Sequence, residues 1–140
     1  MRIVVDTAEQ APLHFHRETV RKSLDTGDYS IEGLEGRICV ERKSLSDLVK
    51  SVVTDWLRFS RCCRRMAAMD VAAIVVEAPI TALMHHQYVG DILPQSVRGK
   101  LNAIHLDFGV PTLFLDNREI AAEWVENLFE QFERRQVSFP

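Results

Sequence analysis

Nothing in this 140-residue chain approaches the roughly 20 consecutive apolar residues of a membrane-spanning helix, so no membrane partner is expected. The N-terminus, M-R-I-V-V-D, lacks the longer apolar region and small-residue cleavage site of a secretory signal. Cysteine is scarce: three residues, an odd count, two of them adjacent at Cys62–Cys63, with no C-x-x-C spacing. That pattern excludes a disulfide framework and a zinc ribbon, and a reducing compartment is the natural setting. His14, His16, His85 and His86 form no ligand set and read as loop or surface residues. No repeat, low-complexity tract or linker interrupts the chain, so a single domain over 1–140 is expected. Positive charge is also missing in sum, with a net charge of −3 and a pI near 5.9.

The distribution of charge is more informative than its sum. Residues 37–65 hold eight basic side chains, Arg37, Arg42, Lys43, Lys50, Arg58, Arg61, Arg64 and Arg65, against Glu41, Asp47 and Asp55, a local net of +5. A polyanion is attracted by such a patch even on an acidic protein.

Hydrophobic periodicity divides the chain into short elements. R-I-V-V at 2–5 reads as a strand ending in Asp6, residues 10–16 as an irregular segment, and 18–24 as a short helix. D-T-G-D turns the chain at Gly27 into a strand at Tyr29 and Ile31; E-G-L-E-G turns it back into a strand over 37–43, making a hairpin. Ser44 with Asp47 opens a helix through Lys50–Val53. A second begins near Asp55, with Trp56, Phe59, Cys63 and Met66 facing inward. V-A-A-I-V-V-E at 71–77 reads as a central strand buried on both faces, 96–107 as a helix with Val97, Leu101 and Ile104 on one face, and 110–116 as another buried strand. Asp116 and Glu119 then open a terminal helix with Ala121, Trp124, Val125, Leu128 and Phe132 along its core stripe; a dimer contact is the lesser reading of Trp124. Strands alternating with helices in the second half imply an α/β fold with a sheet covered on both sides.

The run R-I-C-V-E-R-K-S-L-S-D-L at 37–48 carries the chemistry. Alternation along a strand puts Cys39, Glu41 and Lys43 on one face and Val40 and Arg42 on the other. Asp28, at the start of the neighbouring hairpin strand, brings a second carboxylate beside Glu41. Two carboxylates and a backbone carbonyl suit magnesium, which takes hard oxygen ligands and keeps waters. Such an ion acidifies a bound water and neutralises charge on a phosphate under attack. Lys43 stands ready to orient that water or to stabilise the transition state. The competing reading of the same residues is a surface hairpin carrying a Glu/Lys pair. Arg42, on the far face, is expected to pair with Asp47 or Asp6. Arg58, Arg61 and Arg65 lie in one arc of a helix and, with Lys50, suit phosphate contacts, which bring affinity without sequence choice. Tyr29 is more simply packed than stacked on a base, and Gly90–Asp91, with no ExK after it, reads as a turn.

V-D-T-A-E at 5–9, G-D-Y at 27–29, E-R-K-S-L-S-D at 41–47, R-F at 58–59 and F-G-V-P-T-L-F at 108–114 resemble the XPF-type structure-specific nucleases, whose signature is GD, a variable gap and ERKxxxD. The resemblance implies a restriction-endonuclease-like core, a mixed central sheet flanked by helices. It also implies a divalent-metal-dependent DNA endonuclease, with Mg2+ or Mn2+, acting on branched, flapped or otherwise structured DNA. Carried over by position, Asp28, Glu41 and Asp6 bind metal, Lys43 serves catalysis, and Glu9, Arg42 and Asp47 support them. Lys50, Arg58, Arg61 and Arg65 are the candidate DNA contacts. Two departures stand out. Ala8 occupies a position where the family commonly has arginine, and the family's usual tandem helix-hairpin-helix domain has no room in this chain. A homodimer or a DNA-targeting partner protein is a natural substitute for that domain, in a bacterial- or phage-like cytoplasm or otherwise intracellular with DNA. The alternative function is a catalytically inactive nuclease-like module that binds DNA or a partner; a sequence-specific nuclease on the same core is a third.

Overall fold

A computed structural model describes residues 1–137. Among the described residues six strands form one sheet: β1 (Ile3–Asp6), β2 (Thr19–Lys22), β3 (Tyr29–Ile31), β4 (Ile38–Lys43), β5 (Val71–Val76) and β6 (Thr112–Phe114). Their spatial order is β2-β1-β3-β4-β5-β6. β3 runs antiparallel to both β1 and β4, whereas β1/β2, β4/β5 and β5/β6 are parallel, so the sheet is mixed. The described residues also form the helices α1 (Leu45–Val53), α2 (Trp56–Ala67), α3 (Ile80–Met84), α4 (Pro94–Phe108) and α5 (Arg118–Val137). This is the restriction-endonuclease-like arrangement. No helix among the described residues is long and apolar enough to cross a membrane.

Strand alternation sorts the core into two layers. On one face Cys39, Ala72, Ile74 and Val76 meet Leu48, Val52, Phe59, Cys63 and Met66 of α1 and α2, with Val97, Leu101 and Ile104 of α4. On the other, Ile38, Val40, Val75, Ile3, Val5, Tyr29 and Ile31 meet Ala121, Ala122, Val125, Phe129 and Phe132 of α5. Every residue of β5 after Val71 is buried, as a central strand covered by both layers must be. At α1 the Ser44 hydroxyl accepts the Asp47 amide, closing the first turn as its sequence predicts.

Four expectations are corrected. Residues 18–24 form no helix; Thr19 and Val20, both β-branched, extend as β2 in parallel register with β1. β6 covers only Thr112–Phe114 and is a half-buried edge strand, with no further strand beside it among the described residues. The cap of α5 is Asn117, whose Oδ1 accepts the Ile120 amide, and not Asp116. Trp124 is 54% exposed and outside the core; Phe129 takes the buried place on that stripe. Helix α3, only about one turn and a half long, is too short to show a periodicity in the sequence and is not expected from it.

The turn into β3 depends on Gly27. Its φ is +84°, and a Cβ there would stand 2.9 Å from Cys39 Cβ. Gly27→Ala therefore meets both left-handed strain and a backbone-anchored neighbour, with a cost of about 1–3 kcal/mol expected in urea unfolding.

Candidate active site

The site lies where β1, β4 and β5 end and β3 begins. Because β3 is antiparallel to its neighbours, its first residues arrive at the same end of the sheet as the last residues of β4. The Asp28 amide donates to the Val40 carbonyl at 2.8 Å, and the Asp28 carbonyl accepts the Asp6 amide at 2.9 Å. Asp28 is thereby pinned between β1 and β4. Its Oδ2 accepts the Arg42 backbone amide at 2.7 Å. On β4, Glu41 and Lys43 point into the α1–α2 layer, with Lys43 Nζ 3.5 Å from Glu41 Oε2 and 4.9 Å from the centre of the Phe59 ring. The ammonium is held between a carboxylate and an aromatic face.

The electrostatics mark this corner as unusual. Burial, and then the charge of Glu41, push the Asp28 carboxyl up to about 7. Burial raises Glu41 as well, against the opposing pull of Lys43, and the charges of Glu9 and Asp6 add to the rise. Two desolvated acids share one end of the sheet with a single ammonium beside them. Burial also pushes the Cys62 thiol at the groove wall up to about 11, which keeps it protonated and neutral.

Arg42 corrects the expected ion pairs. It bonds neither Asp47 nor Asp6. On the α5 face its Nε and Nη2 donate to Glu9 at 2.8 and 2.6 Å, and its Nη1 donates to Glu77 at 2.7 Å. Burial alone would raise Glu9, but the hydrogen bonds and charge of Arg42 hold it below the usual carboxylate range. The Tyr29 hydroxyl donates to Glu9 Oε2 at 3.1 Å and accepts the Leu13 amide, so Tyr29 is packed, as read from the sequence. Asp6 has both oxygens engaged: Oδ1 accepts the Leu24 amide at 2.8 Å and Oδ2 the Ala8 amide at 3.2 Å.

A groove of about 470 Å³ opens in front of Glu41 and Lys43, lined further along by Asp47, Lys50, Arg58 and Arg65. Arg61 is exposed on α2 but lies outside this lining. Arg37, counted in the basic run, is spent on Asp70 instead. Sequence reasoning missed Glu77, Arg118 and Arg21. Glu77 stood in view only as the polar end of a buried strand. Arg21, whose Nη1 donates to the carbonyls of Asp6 and Glu9, was hidden by the mistaken helix.

The family model of the ERCC4 domain matches residues 5–128. The chain belongs to that family. XPF from Aeropyrum pernix superimposes with a TM-score of 0.77 at 27% identity, over 96% of this chain and 66% of that one. The same protein in complex with DNA gives 0.77 at 26% identity, with the same coverage. A Methanocaldococcus jannaschii protein named as an ATP-dependent RNA helicase, MJ1505, is 28% identical over 134 residues. That match takes in 94% of this chain but 16% of the relative, so this ERCC4 domain corresponds to a small part of that protein. The fold and the order of the motif residues are those of an XPF-type nuclease domain, and the family is one of structure-specific DNA nucleases, generally dependent on a divalent metal.

The raised Asp28 carboxyl gives a pH signature. Folding favours its neutral form, so its contribution to stability is greatest below the unfolded value of 3.8 and declines as pH rises toward about 7. In metal-free buffer Asp28→Asn is expected to raise the melting temperature, with a larger gain at pH 8 than at pH 5. A gain equal at both values would contradict the raised carboxyl.

Proposed function

We propose that this ERCC4 domain is a divalent-metal-dependent DNA endonuclease that hydrolyses phosphodiester bonds in branched, flapped or otherwise structured DNA. The observation that carries the reading is the groove itself, which runs from the Glu41–Lys43 pair past Lys50 to Arg58 and Arg65. A cutting centre and a phosphate-attracting wall share one concavity.

The donor set fits Mg2+ or Mn2+. Among the described residues no three His, Cys, Asp or Glu side chains are gathered as a ready metal-holding group. Magnesium needs fewer: one or two carboxylates, with waters and a substrate phosphate for the remainder. Asp28 and Glu41 are the proposed ligands, with Asp6 as the neighbouring carboxylate whose charge already acts on Glu41. When bound, the ion supplies Lewis acidity toward the phosphate and a more acidic water. Lys43, braced by Glu41 and Phe59, stabilises the charge that develops on the phosphate oxygens. Arg42 and Glu9 hold the strand end from behind. Asp47, on the first turn of α1, flanks Lys43 and Lys50 and keeps that wall from being uniformly positive. Lys50, Arg58 and Arg65 contact the DNA backbone, with Arg61 one turn along α2 as an outer contact.

Cleavage of flap, fork and linear duplex DNA with Mg2+ or Mn2+, beside binding without metal, tests the reading. Glu41→Ala and Asp28→Ala are expected to abolish cutting in a folded protein, and Lys43→Ala to lower kcat roughly 10²–10³-fold. Wild-type cutting by Glu41→Ala refutes the site; binding with no cutting under any metal favours the inactive module. Arg58→Ala and Arg65→Ala are each expected to weaken binding to all substrates alike and to reduce the log–log salt slope by about 1.

A further inference from the structure

The carboxyl of Asp28, one of the two proposed ion ligands, is aimed by a backbone amide, and that amide belongs to a residue whose side chain is engaged elsewhere. Arg42 donates from its main chain to Asp28 Oδ2, while its guanidinium uses Nε and Nη2 on Glu9 and Nη1 on Glu77. Glu77 holds the same piece of β4 twice, since its own amide also donates to the Lys43 carbonyl at 3.2 Å. Glu77 is in turn fixed by Arg118, whose Nη1 donates to Glu77 Oε1 at 3.2 Å. The Arg118 Nη2 reaches the Ala11 and Pro12 carbonyls at 2.6 and 2.8 Å. Arg118 thus ties the first turn of α5 to the end of β5 and to the segment after Glu9.

We propose that Glu77 and Arg118 are positioning residues for the divalent-ion ligand Asp28, acting through Arg42. The proposal rests on the nuclease reading above and adds two residues to it. Side chains of Glu9, Arg42 and Glu77 are 6%, 16% and 13% exposed, so the chain of bonds is shielded from water and geometrically stiff. Without Glu77, one arm of the Arg42 fork has no acceptor and the guanidinium can pivot on Glu9. The peptide joining Glu41 to Arg42 is still held by its pairing with β5 but loses the restraint of the fixed side chain, and the hydrogen bond that orients Asp28 is less sharply directed. Without Arg118, the Glu77 carboxylate keeps only Arg42 as a partner among the described residues and is held less firmly, with the same result one step removed. Lysine cannot replace Arg118, because a single ammonium cannot reproduce a planar fork that reaches a carboxylate and two carbonyls.

Charge alone predicts the opposite sign at Arg118. Deleting a cation near the site strengthens the attraction of a divalent cation, whereas deleting a positioning group weakens it. Calorimetric titration of Mn2+ into the DNA-free protein separates the two. Glu77→Gln and Arg118→Gln are each expected to weaken Mn2+ binding about tenfold, the scale of a lost outer-shell partner, and Arg118→Lys to weaken it despite the retained charge. Arg118→Gln binding Mn2+ as tightly as wild type, or more tightly, overturns the proposal while leaving the nuclease reading intact. Identical isotherms for wild type and Glu41→Ala overturn the ion site, and both readings with it. Arg118 has a side chain 41% exposed, so its two variants decide the matter even where Glu77→Gln does not fold.

Discussion

Two carboxylates held in a desolvated corner repel each other, and the strands around them hold them there. Asp28 and Glu41 belong to adjacent antiparallel strands, and the register between those strands sets how close the acids come. The fold opposes that repulsion with covalent and hydrogen-bonded constraints more than with charge. Asp28 is bonded through its amide to β4, through its carbonyl to β1, and through its side chain to the Arg42 amide. A site of this kind is less stable when empty than a neutral one would be. A cation bound there would replace the repulsion with attraction and restore that stability.

The alternation of β4 divides labour between its two faces. Cys39, Glu41 and Lys43 look into the α1–α2 layer, where the groove opens; Ile38, Val40 and Arg42 look into the α5 layer, where Arg42 meets Glu9 and Glu77. Glu41 and Lys43 therefore face the groove, while Arg42 and its two carboxylate partners hold the strand end from the other side. A buried ion pair is weak support for stability, because desolvation cancels much of its attraction. Its value here lies in direction. A guanidinium with three arms engaged by two carboxylates has one orientation, and a hydrophobic residue of equal volume would not fix the strand end in the same way.

Much of this was legible in the sequence, for local reasons. The β3–β4 hairpin, the Ser44 cap and the buried run of β5 each announce themselves within a few residues, and the Glu41–Lys43 pair follows from period-two alternation alone. What stayed hidden depends on partners distant in the chain. β2 reads as helix because its four residues show no strand pattern by themselves; only pairing with β1, 16 positions earlier in register, makes them a strand. Glu77 and Arg118 are ordinary surface-like residues until the fold brings them to Arg42, 35 and 76 positions away. Trp124 misled because a large aromatic at helical spacing usually belongs inside; at this point of α5 the sheet is already filled by Ala121, Val125 and Phe129.

The distribution of charge follows the same logic as the distribution of faces. An acidic chain with a net charge of −3 would repel a nucleic acid if its charges were spread evenly. They are not: basic residues of α1 and α2 line the groove, and Arg2, Arg17 and Arg37 elsewhere are matched by Glu32, Glu130 and Asp70. Neutralised pairs contribute little to the long-range field, whereas Lys50, Arg58 and Arg65 are gathered on one wall. The acids at the end of that wall are then its focus. A polyanion drawn along the basic side would meet the carboxylates at its end, and under the proposed function a cation bound there would reverse their sign before the phosphate comes close.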